Sequence, residues 1–139
     1  DAELSKLKAD SITSQDEFYA WHHSVSDKIK KLYLDEGVKL TYGHAQKWIN
    51  MTIKYLYMLE ANSFDGIFEF LHIPLDNYVF DIARDLLGIT RPKGAWSSWD
   101  NYDEQYLCYQ NLIREKITTG TPLRWEFRYW LKVARNIEE

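Results

Sequence analysis

Residues 41–61 read TYGHAQKWINMTIKYLYMLEA, and this stretch decides the fold class. Ala45, Trp48, Ile49, Thr52, Ile53, Leu56 and Leu59 recur at steps of three and four, the spacing of one helical face. The stretch therefore predicts a helix from about Thr41 to about Ala61. Past Ile53 the run YLYML is apolar nearly all round. A helix apolar on every side is expected inside a bundle, as its central axle. Lys47, Asn50 and Lys54 form a polar stripe on it, with His44 and Gln46 close by. Buried, these groups would need partners and would carry shifted pKa values. The stripe is read as the helix's one exposed face.

Working outward, four more helices are predicted. One runs from about Gln15 to Leu34: Ser14 and Glu17 form a capping box, and Phe18, Trp21, Val25, Ile29 and Leu32 make its apolar stripe. Residues 62–75 fit a packed loop, a short helical turn or a brief strand. Val79, Ile82, Ala83, Leu86 and Leu87 place the next helix at about 75–87, stopped by Gly88. The loop ITRPKGAWSSW leads to a helix over about Tyr102–Ile117, acidic at its start and basic at its end. The last runs from Thr121, with Pro122 at its first position, to about Asn136. Together these give an all-α bundle of about five helices, one domain over residues 1–139, with 1–13 frayed.

The 139 residues suffice for one core without staples. Cys108 is the sole cysteine, which excludes an internal disulfide; mid-helix, it reads as a small buried residue. A net charge of −4 disfavours a general attraction to nucleic acid or anionic membranes. No apolar run is long enough to span a membrane, and the start DAELSKLKADS lacks a secretory leader's apolar stretch. A cytoplasmic location is expected.

Loops for nucleotides (GxxxxGK[ST], GxGxxG), the GxSxG elbow, HExxH and the EF-hand loop are all absent. His22 and His23 diverge by about 100° on a helix and do not chelate as a pair. No metal and no cofactor is implied. The tyrosines Tyr102, Tyr106 and Tyr109 continue into Ile113 and Ile117 and are expected to face the core. Trp96 and Trp99, in the preceding loop, either cover the helix start or project for stacking.

The charge is uneven. Every arginine lies at or beyond residue 84, and Arg124, Arg128, Lys132 and Arg135 form a basic stripe on the last helix, flanked by Trp125 and Tyr129. Guanidinium groups beside aromatic faces can hold anions. The same stripe is also what a solvated face looks like. The leading expectation is a binding or interaction protein. Its surface would join this stripe to Arg91, Lys93, Trp96 and Trp99, and take a protein partner, a second copy or an anion, with nucleic acid the weaker fit. The alternative is a small enzyme using His44, Lys47, Asn50 and Lys54, facing Asp76 or Asp81. A third is a structural subunit, which would expose a large apolar patch.

Overall fold

The computed structural model describes residues 3, 4, 7 and 12–138, with side chains to 130. Five α-helices account for most of it: α1 (Gln15–Asp35), α2 (Tyr42–Met58), α3 (Asn77–Leu87), α4 (Cys108–Lys116) and α5 (Pro122–Glu138). No strand occurs among the described residues. The fold is all-α, as the spacing of apolar side chains predicts.

At the start of α1 the Ser14 hydroxyl accepts the Glu17 amide as expected, but the Glu17 carboxylate takes the Thr13 N–H instead of closing the box on Ser14. Asp76, which the sequence reading did not mark as a cap, accepts the Val79 amide at the start of α3. Gly88 ends α3 with a left-handed φ of 68°. Tyr102–Leu107 form a π-helical turn that runs directly into α4. In this turn the Tyr102 and Tyr106 rings lie tilted against each other, centroids 5.1 Å apart, with both buried. Tyr109 and Ile113 continue that buried stripe.

Two apolar clusters make the core. One gathers Val79, Phe80, Trp99, Tyr102, Tyr106, Tyr109, Ile113 and Trp125. The other gathers Phe18, Val25, Ile49, Ile53, Phe64, Ile67, Leu71 and Leu123, with Leu7 and Ile12 buried against them. Leu7 and Ile12 are buried; residues 1, 2, 5, 6 and 8–11 of the stretch expected to fray lie outside the described ones.

The uncertain stretch 62–75 resolves into a short 3-10 turn, Phe68–Phe70, followed by residues 71–75, which join no helix or strand and are buried at every position. Buried backbone outside a helix or sheet needs other partners for its N–H and C=O groups. Two glutamines supply them. Gln110 accepts from the Ile73 N–H and donates to the Ile73 carbonyl, at 3.3 and 2.6 Å. Gln46 does the same for Leu75, at 3.2 and 2.9 Å.

α2 is central in its connections. It packs on α1, on the 96–98 turn and on the π-helical turn, and it reaches α5 through a side-chain pair. The 96–98 turn comes so close that a Cβ on Gly43 would lie 1.9 Å from the Trp96 carbonyl oxygen, so only glycine fits there. Burial on all sides, however, is not what its apolar sequence means. Ala45, Ile49 and Ile53 face the core, while Trp48, Tyr55 and Met58 are exposed.

Candidate functional site

The polar row of α2 divides between the interior and the surface. Asn50 and Lys54, expected on an exposed face, are 1% and 2% exposed. Helical spacing alone could not tell which flank of the row neighbouring elements would cover. Asn50 is the hub of a buried network: its amide nitrogen donates to the Tyr106 hydroxyl at 2.9 Å, to Gln46 at 3.1 Å and to the Ile73 carbonyl at 3.3 Å. Its amide oxygen lies 2.8 Å from His22 Nε2, and since that oxygen can only accept, the proton sits on Nε2. His22 Nδ1 then accepts from the Tyr102 hydroxyl at 2.9 Å. Tyr106 also reaches His72 Nδ1 at 2.6 Å.

Burial holds the His22 imidazole down at about 4, against the upward pull of Asn50, and holds His72 well below its ordinary range. Both rings are therefore neutral at pH 7. His22, His72, Tyr106 and Gln110 carry this interior chemistry without any motif. Only the polar residues on predicted apolar faces hinted at it.

Lys54 instead meets Glu126 of α5 at 2.7 Å, both side chains almost fully covered, with the Trp130 ring 4.8 Å from the ammonium. Burial pushes the Glu126 carboxyl up, opposed by Lys54. Lys47 is half-buried and ion-paired with Asp76, so that expected juxtaposition is present. Asp81 faces elsewhere, toward Arg84 and Arg91. His44 is exposed and serves the helix start: its Nδ1 accepts the Thr41 N–H at 3.2 Å. Thus of the expected catalytic row, Asn50 and Lys54 are satisfied internally while His44 and Lys47 reach the surface.

The expected basic-aromatic surface does not assemble as drawn. Trp99 is 3% exposed, packed on Phe80 and Tyr109, and cannot stack on a ligand. The short 96–98 turn swings it into the core. Arg91 is ion-paired with Asp81. Lys93 is exposed, beside a groove that also holds Cys108. Cys108 is exposed, not buried, because the buried stripe runs through Tyr106, Tyr109 and Ile113. Arg124 and Arg128 are exposed on α5; Arg124 lies 5.5 Å from the Phe68 ring centroid, in a groove it shares with Asp65 and Glu69. Those acids oppose its use for an anion. The side chains of Lys132 and Arg135 lie outside the described ones.

The surface feature that does assemble is the outer face of α2. Trp48 is 59% exposed and Tyr55 50%, and Leu59, just past the helix, is 78%. A groove of about 370 Å³ runs there, lined by His44, Lys47, Trp48, Met51, Thr52, Tyr55 and Trp96. Trp96, half-buried, forms part of its wall beside His44, ring centroids 6.4 Å apart. Trp48 is steadied from the α1 side by Tyr33, ring centroids 6.2 Å apart. Its Lys47 keeps an ion pair at the margin. Such a surface offers apolar and aromatic contact area with a few polar groups at its edge.

Among the described residues no group of His, Cys, Asp and Glu side chains is arranged to hold a metal ion, and no helix is long and apolar enough to cross a membrane. No family model matches the chain, and no curated protein and no solved structure matches it either.

Proposed function

We propose that this chain is a protein-binding module that takes an amphipathic helix of its partner on the outer face of α2. The observation that carries this reading is the pattern of side chains, exposed or (at Met51) half-buried, along one line of that helix. His44, Trp48, Met51, Tyr55 and Met58 follow at steps of four, three, four and three. That is the seam of a helix built to pack along another helix. Solvent-facing helix positions ordinarily carry charge, and here they carry Trp, Tyr and Met instead. Trp and Tyr are the residues on which binding energy concentrates, and methionine adapts to the shape opposite it. A groove edged by Trp96, Lys47 and His44 matches recognition of a helix by its apolar side. The reading keeps an interaction role and Trp96 as a contact, and moves the surface from α5 to α2. The internal pairing of Asn50 and Lys54 weighs against an enzyme built on the polar row.

The test is a photo-crosslinking residue at Thr52, introduced in the cells from which the chain comes. A discrete adduct is expected, identified by mass and reconstituted from purified components. Trp48→Glu should weaken the reconstituted complex at least tenfold, with the helical circular dichroism unchanged. Leu86→Glu, an exposed leucine on α3, should leave it intact. Absence of an adduct, or binding indifferent to Trp48→Glu, would overturn the reading.

A further inference from the structure

We propose that the helix occupying this face is α2 of a second copy of the chain, paired antiparallel about a two-fold axis near Ile53. The inference rests on reading the outer face of α2 as a docking surface, and it names the occupant. The first argument is register. About a centre at residue 53, Trp48 meets the other copy's Met58, and Met51 meets the other copy's Tyr55. Each large aromatic side chain thus lies opposite a methionine, whose flexible thioether fits around a ring edge. The seam is complementary to its own reverse, as an isologous contact requires.

The second argument is charge. α1 carries Asp16 and Glu17 in its first turn, and α4 carries Arg114 and Lys116 in its last. Both complement the helix dipole. α2 carries no acid in its first turn and no base in its last. Its early turns hold His44, whose ring caps the Thr41 N–H, and Lys47, paired with Asp76, and Glu60 follows its end. Alone, Glu60 sits beside the negative end of the helix dipole, which is mildly unfavourable. An antiparallel copy reverses the sign, because Glu60 of each copy comes opposite residue 46 of the other, beside the positive end of its dipole. Glu60 has no ion pair among the described residues and is exposed.

The third argument is area. Trp48 and Tyr55 expose roughly half of their surface, or about 200 Å² together, since such side chains carry about 150–250 Å² each. With Met51, Met58 and Leu59 the face offers about 500 Å² per copy, against about 800 Å² for a standard stable interface. The pairing is therefore weak and concentration-dependent: monomer when dilute, dimer in the micromolar range and above.

Thr52 distinguishes the arrangement. In an antiparallel pair it flanks the seam close to the axis and lies near the other copy's Thr52, whereas Leu59 lies far from its own equivalent. Cys108 is the only native cysteine, so Cys108→Ser gives a clean background. In it, Thr52→Cys should oxidise to a disulfide-linked dimer at least tenfold faster than Leu59→Cys. Sedimentation velocity from 1 to 300 µM should show native chain moving from monomer to dimer, and Trp48→Glu remaining monomeric. A native chain that stays monomeric throughout, or equal cross-linking at positions 52 and 59, overturns the self-pairing. In that event the Thr52 photo-adduct separates the two claims. An adduct to another protein, lost with Trp48→Glu, leaves the docking face standing with a different occupant; no adduct removes both.

Discussion

The ammonium of Lys54 sits 2.7 Å from Glu126, almost out of reach of water, and the pair ties α2 to α5. Taking both charges out of water costs nearly as much as their attraction returns, so the pair as a whole adds little stability. Removing one partner is different, because it strands a buried charge. Glu126→Leu is expected to lower unfolding stability by about 3–5 kcal/mol, whereas Lys54→Met with Glu126→Leu should come within about 1 kcal/mol of the native chain or exceed it. Urea denaturation of the native chain and both variants checks this, and a double variant as weak as the single one would refute it. The pair also shows a limit of reading residues in order. Lys54 was visible as a polar residue on an apolar helix, but its partner lies 72 positions away. Glu126 stands among the basic residues of α5, where it looks like one solvated charge among many. Trp99 differs: a loop tryptophan between polar neighbours reads equally as covering the helix start or as projecting, and only the turn at 96–98 aims it inward.

The five helices were legible because each carries a periodic apolar face, and several carry their own capping signals as well. Ser14 and Gly88 act where they stand. The buried stretch at 71–75 was not legible, because what fixes it is two glutamines from α2 and α4, which pair with its backbone. A glutamine on a helix carries no sequence mark of that role. Gln110→Leu keeps the side-chain volume but leaves the Ile73 N–H and C=O without this partner. The Ile73 carbonyl keeps the Asn50 amide as a donor, so only the N–H is stranded, and a loss of about 1–3 kcal/mol is expected. Hydrogen exchange should locate it: the Ile73 amide should lose protection more than amides in the middle of α1. Uniform loss would mean that Gln110 supports the fold generally and does not hold this segment. The same distinction applies to α2. Its two apolar faces were both in the sequence, but which of them the bundle covers depends on where α1, the 96–98 turn and α5 come to rest.

At the scale of the whole molecule, the buried network makes the fold sensitive to acid well above the range where carboxylates protonate. An unfolded histidine has a pKa near 6.5, while folded His22 is held down at about 4 and His72 is also held well below its ordinary value, by burial and by the neighbouring His22 and Arg114. As pH falls from about 6.5 toward 4, the unfolded chain binds protons at these positions that the folded chain refuses. Stability is therefore fully present above about pH 6.5 and declines below it, by about 3 kcal/mol for His22 alone by pH 4. His72 adds in the same direction. Glu126, whose folded pKa is raised, acts with the opposite sign and softens the fall. Each refused proton contributes a slope of about 1.4 kcal/mol per pH unit, so the native chain should approach twice that between pH 6 and 5. His22→Gln, which removes one titrating ring, should begin less stable at pH 7.5 and then lose stability about half as steeply. Urea midpoints taken from pH 7.5 to 4.5 on both chains decide the matter. If the two lines fall in parallel, protonation of the buried histidines is not what acid exploits, and the sensitivity must come from the surface ion pairs.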